Sequence, residues 1–164
     1  MEGLHALSLA RLAAKLGVRA PSLYAHVDGL PDLLRRLADR GASELALALQ
    51  SAAAGRAAGD ALVSVANAYR AYALAHRGSY EALQIASEVE GSEAAERVVA
   101  VVVAVLRGYG LEGEDAIHGV RVIRAALHGF VTLETGGGFG MPLDLDDSFA
   151  KLVETLDRGL GASA

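Results

Sequence analysis

The strongest constraint on this chain is the helical spacing of its apolar residues, which recur three or four positions apart over almost its whole length. Alanine, the best helix former, occurs 33 times, and proline occurs 3 times. A strand is plausible only in the Val-rich run at residues 98–106, but the segments on both sides are helical and no partner strand is visible. We therefore predict an all-α fold.

Capping residues and helix breakers divide the chain into segments. Ser8 is placed to cap a short helix that Gly17 ends. Gly78 is expected to break a helix, and Asp146 or Asp147 is expected to cap the last one. The predicted helices span about residues 9–16, 20–26, 31–54, 62–76, 80–87, 91–108, 114–135 and 147–160.

The composition of the 164 residues excludes several classes of protein. Apolar residues make up 52%, enough to bury a core, so a disordered chain is excluded. The absence of cysteine excludes disulfides, thiolate metal sites and Cys nucleophiles. The longest apolar run, nine residues, is much shorter than the roughly 20 that span a membrane, and the N-terminus does not resemble a signal peptide. We therefore expect a cytoplasmic protein with no membrane partner.

Two short predicted helices on either side of Gly17 form a helix-turn-helix pattern. The first helix of this motif braces the DNA backbone, and the N-terminal end of the second enters the major groove. Val18 and Leu23 are expected to fill the small core between the two helices. Residues 1–40 have a net charge of +2, whereas the remainder has −7, so this end is the one suited to a polyanion. The pattern alone is weak, because many helical bundles contain two short helices around a glycine.

The residues within this motif are more specific than its pattern. The run LSLARLAAKLGVRAPSLYAHV at positions 7–27 closely resembles the DNA-binding segment of the TetR family of bacterial transcriptional regulators. Residues 69–80 are similar to the fifth and sixth helices of a TetR subgroup, and residues 127–156 to its eighth and ninth. Together these matches cover nearly the whole chain.

The resemblance implies an all-α regulator with a helix-turn-helix DNA-binding domain over residues 1–40 and a ligand-binding and dimerisation domain over residues 41–164. It implies a repressor that binds double-stranded operator DNA as a homodimer and is released by a small, mostly apolar effector. The alternative is a DNA-incompetent helical dimer that binds only a small molecule or a protein partner. The residues expected to contact DNA are Lys15, Arg19, Ala20, Pro21, Ser22, Tyr24 and His26.

Three departures from the family pattern bear on DNA binding. Only Met1–Leu7 precede the motif, so we expect the long first helix of the family to be missing, through a late start codon or a truncation. Leu30 stands where a phosphate-binding lysine is usual. Arg19 replaces a usual Ser or Thr and could contact a phosphate or a guanine edge. We expect this chain to bind DNA weakly, and a version extended upstream to bind a palindromic operator as a dimer.

Tyrosine, histidine and arginine side chains gather on the predicted helices of the second domain. They either close the core with their polar tips outward or, as the resemblance implies, surround an effector pocket. The residues expected to line this pocket are Tyr69, Tyr72, His76, Tyr80, Gln84, Arg124 and His128. Apolar stripes on the last two long helices predict a four-helix dimer interface. Its expected residues are Ile117, Val120, Leu127, Val131, Phe149, Leu152, Val153 and Leu156.

Other groups of residues favour neither a cofactor nor an enzyme. The five histidines lack the close spacing of zinc ligands, and the glycine-rich segment 136–140 lacks the Lys-Ser/Thr of a phosphate loop. Glu88, Glu90, Glu93 and Glu96 have no paired base, and no Gly-x-Ser-x-Gly elbow occurs. We therefore predict no metal, no cofactor and no enzymatic activity.

Overall fold

The computed structural model describes residues 4–86 and 93–162, and over these ranges the chain forms helices and loops without strands, as predicted. A short 3-10 turn, Leu4–Ala6, comes first. The α-helices are α1 (Leu9–Leu16), α2 (Ala20–Tyr24), α3 (Gly29–Ala53), α4 (Ala58–Ala75), α5 (Arg77–Ala86), α6 (Glu93–Arg107), α7 (Gly113–Gly136) and α8 (Leu145–Gly161). The Val-rich run is helical, within α6. Glu88, Glu90 and the predicted helix start at Gly91 lie outside the described residues.

Local capping produces the helix-turn-helix at the N-terminal end. The backbone N–H of Arg11 donates to Ser8 Oγ at 3.2 Å and so caps the start of α1. Gly17 adopts a left-handed conformation (φ 70°), which lets the N–H of Val18 donate to the Ala13 carbonyl at 3.0 Å and close the helix. α2 then begins after Arg19 and ends two residues earlier than predicted.

The small core of this motif differs from the prediction. Val18 is 44% exposed and does not fill the space between α1 and α2. Its backbone closes the end of α1, and that turn leaves its side chain toward solvent. Leu9 and Ala13 are buried instead, and Leu23 is half-buried.

The long helix α3 joins the two ends of the molecule. It continues without a break through residue 40, the predicted domain boundary, and packs against α4, α5 and α6. Gly41 allows the close approach to α5, because a Cβ atom at this position would lie 3.0 Å from the Ser79 carbonyl oxygen. The helix-turn-helix segment and the helical body are therefore connected by one continuous helix.

Two of the residues predicted to break or cap a helix are not the ones that do so. The break after α4 occurs at His76, which leaves the helical conformation (φ −122°, ψ 47°), and Gly78 lies in the first turn of α5. The cap of α8 is Asp144, whose Oδ1 accepts from the N–H groups of Asp146 and Asp147 at 2.7 and 3.4 Å. The first aspartate of this run is the one that precedes the helix with an extended backbone, so it is the one that can cap.

An ion pair connects three helices of the body. Arg70 on α4 donates from Nε and Nη2 to the two carboxylate oxygens of Glu134 on α7, at 2.8 and 2.6 Å, and its Nη1 lies 2.7 Å from Asp146 on α8. The side chains of Arg70 and Glu134 are each 12% exposed. The guanidinium also lies 4.8 Å from the ring centre of Phe149 and 5.6 Å from that of Phe130. The hydrogen bonds to Glu134 raise the pKa of Arg70 above its usual value.

We expect Arg70→Ala to lower the free energy of unfolding by about 3 kcal/mol, because it leaves the Glu134 carboxylate without its partner in a mostly buried site. Asp146→Asn is the matched control. The Asp146 side chain is 85% exposed, so its loss should cost under about 1 kcal/mol. Urea unfolding measures both variants, and equal small losses would show that the ion pair is not important for stability.

Candidate DNA-binding surface and effector cavity

The residues predicted to contact DNA lie in the helix-turn-helix, although Lys15 also lines the hollow between α1 and helices α5 and α7. Six of the seven are exposed and Ala20 is half-buried. Tyr24 is 62% exposed, and α2 contributes no buried residue. Arg19 occupies the position before α2 with an extended backbone, and its side chain makes no capping hydrogen bond. The N-terminal end of α2 is therefore accessible to a DNA groove.

The basic residues near this surface fall into two groups. Arg35 pairs with Asp32 and Asp39, at 2.6 and 3.4 Å, and Arg36 pairs with Asp32 at 3.0 Å, so two carboxylates compensate the two positive charges. The pKa of Asp32 is lowered to about 2 by a hydrogen bond from the Asp28 backbone N–H and by these two arginines. Lys15 and Arg19 form no ion pair within the described residues. The uncompensated positive charge therefore lies on the helix-turn-helix itself.

A cavity of about 110 Å³ lies in the body between five helices. Its wall is mostly apolar, and its polar groups come from Tyr69, Gln84 and Arg124, three of the seven residues predicted for the pocket. The apolar lining residues are Leu45, Leu49, Val65, Leu83, Ala95, Val98, Val99, Val102, Val120, Ile123 and Leu127.

A chain of hydrogen bonds leads away from the cavity. The hydroxyl oxygens of Tyr69 and Tyr80 lie 2.8 Å apart, and the Tyr80 hydroxyl lies 2.7 Å from His128 Nδ1. Tyr80, Gln84 and His128 also line a wider hollow between α1 and helices α5 and α7, which we call the head–body cleft. Two of the predicted pocket residues therefore lie behind the cavity rather than in its wall.

Tyr72 and His76 do not line the cavity, contrary to the prediction. The Tyr72 hydroxyl donates to Glu44 on α3 at 3.2 Å. The centres of the Tyr72 and His76 rings lie 4.7 Å apart. Burial, and then the charge of Glu44, raise the pKa of Tyr72 to about 12. α4 ends at Ala75, so His76 does not follow the helical spacing on which the prediction relied.

Most of the residues that line the cavity were not among those predicted for the pocket. Val98, Val99 and Val102 of α6 line it, although no pocket residue was predicted on that helix. Val120 and Leu127, which also line it, were predicted to lie in a dimer interface. An apolar side chain has the same sequence pattern whether it fills a core, lines a cavity or meets a second subunit. The sequence feature that indicates this wall is the unbroken apolar run of α6. A helix that packs on one side needs apolar residues on that side only, whereas this run places them all around the helix.

Four of the eight predicted interface residues lie in the core of a single chain. Leu127, Val131, Phe149 and Val153 are each at most 4% exposed, so they have no surface to offer a partner. The apolar stripes of α7 and α8 are divided, since one side packs on α4 and only the other faces outward. A groove between the outward sides is lined by Leu111, Asp115, His118, Gly119, Val122, Thr155, Leu156, Gly159 and Leu160.

The described part of the chain has neither a metal-binding cluster nor a membrane-spanning helix. Within residues 4–86 and 93–162, no three His, Asp or Glu side chains are grouped closely enough to hold a metal ion. None of the helices in the described part of the chain combines the length and apolar character needed to cross a bilayer.

An exposed helix-turn-helix, joined by a continuous helix to an α-helical body that encloses an apolar cavity, is the architecture of a DNA-binding transcriptional regulator. Residues 62–156 match the family described as "Tetracyclin repressor-like, C-terminal domain". The chain belongs to the TetR family of transcriptional regulators, which are not enzymes.

Individual relatives agree with this assignment. The chain is 39% identical to the uncharacterized HTH-type transcriptional regulator Rv0681 of Mycobacterium tuberculosis, over 97% of this chain and 74% of that protein. It is 34% identical to the uncharacterized HTH-type transcriptional regulator YobS of Bacillus subtilis, over 97% of this chain and 84% of that protein. A possible TetR family transcriptional regulator from Streptomyces coelicolor shares the fold, with a TM-score of 0.79 and 23% identity over 99% of this chain and 93% of that one.

Burial and the nearby charge of Arg124 lower the pKa of His128. Folding therefore favours the neutral imidazole. This contribution to stability is complete above the unfolded pKa near 6.5 and is lost as the pH falls through the lower folded pKa. We expect the free energy of unfolding to fall as the pH drops below about 6.5, and His128→Gln to reduce that fall. His26→Gln, at an exposed histidine just after α2, is the control, and identical pH profiles for all three proteins would contradict the prediction.

Proposed function

We propose that this protein is a ligand-responsive repressor that binds a palindromic operator as a homodimer and is released when a small, mostly apolar effector enters the cavity. The observation that carries this proposal is the position of α3. Its residues Leu45 and Leu49 line the cavity, and its N-terminal end follows directly on the helix-turn-helix. A molecule in the cavity therefore contacts the helix that carries the DNA-binding segment. The cytoplasm, where DNA is accessible, is the compartment this function requires.

Release requires that the effector bind one conformation better than the other. A ligand shifts an equilibrium only by the difference between its affinities for the two states. The cavity is small, at about 110 Å³, so an effector can fit best in a conformation in which α3 has moved. Because α3 follows the helix-turn-helix, that conformation has a different orientation of α2. In a dimer, the same movement changes the separation of the two recognition helices, which must match one turn of DNA.

Phosphate contacts supply most of the affinity for DNA, and base contacts supply the choice of sequence. We expect Tyr24→Ala and Lys15→Ala to weaken binding to all sequences, with Lys15→Ala also lowering the slope of binding against salt by about 1. Ser22→Ala should instead change which sequence is preferred. Fluorescence anisotropy measures these effects on the version extended upstream, with palindromes from the protein's own promoter region.

The control for this series is Lys151→Ala, an exposed lysine on α8 far along the chain from the motif. Its affinity and salt slope should equal those of the unmodified protein. If no palindrome is bound in a salt-sensitive way, the protein is instead the DNA-incompetent dimer, which binds only a small molecule or another protein.

The outward groove between α7 and α8 is the surface we propose for dimerisation. Val122 is 52% exposed and Leu156 is half-buried, and both line this groove. Two copies would cover each other's groove as a four-helix bundle with two-fold symmetry. We expect Val122→Glu combined with Leu156→Glu to give a monomer, because the interface would then bury four unpaired carboxylates.

Sedimentation velocity at micromolar concentration tests this interface. Leu47→Glu is the matched control, since Leu47 is 63% exposed on α3, away from the groove. It should leave the dimer intact. A monomeric unmodified protein, or a dimer that survives the double substitution, would contradict the assignment.

A further inference from the structure

We propose that the effector is a monocarboxylate with a short apolar tail, and that Arg124 binds its carboxylate at the mouth of the cavity. The proposal rests on the function proposed above, in which this cavity receives the effector. It adds the charge, the size and the anchoring residue of the ligand.

The cavity wall separates apolar and charged groups. Helices α3 to α7 supply an apolar lining, and among the described lining residues Arg124 on α7 is the one that carries a charge. Its side chain is in an exposed position, which places the cation where the cavity meets solvent. A ligand that matches this wall has one charged end outside and an apolar tail inside. A second charge on the tail would be buried without a partner, which is costly.

The guanidinium of Arg124 is available to a ligand. Within the described residues it takes part in no ion pair and no hydrogen bond, whereas Arg70, Arg35 and Arg40 each hold a carboxylate. A guanidinium presents five donors in a planar fork that fits a carboxylate with two parallel hydrogen bonds. A carboxylate is therefore the anion that this side chain and this small cavity suit together.

The nearby polar groups do not supply that missing partner. The Tyr69 hydroxyl hydrogen-bonds to the Tyr80 hydroxyl, which hydrogen-bonds to His128. Burial lowers the pKa of His128 and so favours its neutral form. Burial raises the pKa of both tyrosines, so neither becomes an anion near neutral pH. The positive charge of Arg124 therefore remains uncompensated beside them until an anion binds.

The volume limits the length of the tail. A dry apolar cavity of roughly 150 Å³ holds a benzene ring. A cavity of about 110 Å³ accordingly suits a tail of about five carbons, as in hexanoate. Longer acyl chains would require the helices to move apart.

Hexanoate and its neutral analogue hexanamide are the probes for this proposal, with binding measured by isothermal titration calorimetry on the full chain. Hexanoate should bind the unmodified protein and bind Arg124→Gln about tenfold more weakly, with Arg124→Lys intermediate. Hexanamide should bind the unmodified protein and Arg124→Gln equally. Arg121→Gln is the matched control, because Arg121 lies three residues earlier on α7 and does not line the cavity.

A second measurement uses the pKa of His128 to detect neutralisation of the Arg124 charge. Burial, and then the charge of Arg124, lower the pKa of His128, so a bound carboxylate that neutralises Arg124 should raise that pKa. Nuclear magnetic resonance titration of the His128 ring, with and without hexanoate, detects this change. The shift should be absent with hexanamide and absent in Arg124→Gln.

The outcomes separate this proposal from the function on which it rests. Equal hexanoate binding by Arg124→Gln and the unmodified protein, equal binding of the two probes, or no hexanoate binding at millimolar concentration would overturn the carboxylate proposal. The cavity is tested by Val102→Phe, which should abolish binding of both probes by filling it. Unchanged binding in that variant, or an absence of magnetisation transfer between the ligand methyl and the valines of α6 in the unmodified protein, would contradict the effector cavity instead.

Discussion

The body of this protein is a mostly apolar bundle in which one ion pair connects three helices. Arg70 joins α4 to Glu134 on α7 and to Asp146 at the start of α8, and its guanidinium packs on Phe149. Hydrophobic contacts alone would let these Ala- and Leu-rich helices slide, because such contacts have little directional preference. The bidentate hydrogen bonds to Glu134 have a single geometry and therefore favour one arrangement of α7 on α4.

The position of α7 has two consequences for function. Its inner side faces α4 and α6, where small valine and alanine side chains leave the cavity unfilled. Its outer side, with α8, forms the groove that we assign to a second copy of the chain. One helix thus separates the proposed effector site from the proposed dimer interface, so a change in the cavity can reach both.

Two connections run from the body toward the DNA-binding segment. One is α3, which lines the cavity and continues to Gly29 next to the helix-turn-helix. The other is the hydrogen-bonded group of Tyr69, Tyr80 and His128, which begins at the cavity and ends at the head–body cleft. Each has a physical means of transmission, since a helix moves as a rigid element and a hydrogen bond has strong distance and angle preferences.

The sequence by itself determined the helical class, nearly all the helices and the helix-turn-helix, because these follow from local periodicity, capping and glycine conformation. Gly17 and Ser8 act within a few residues of their own positions. Which apolar residues face the cavity, the core or a partner was decided only by the tertiary structure. Leu127 and Val131 have the spacing of an interface stripe, yet α4 and α6 cover them. Burial depends on residues distant in the sequence, and a helical stripe records only that one side is apolar.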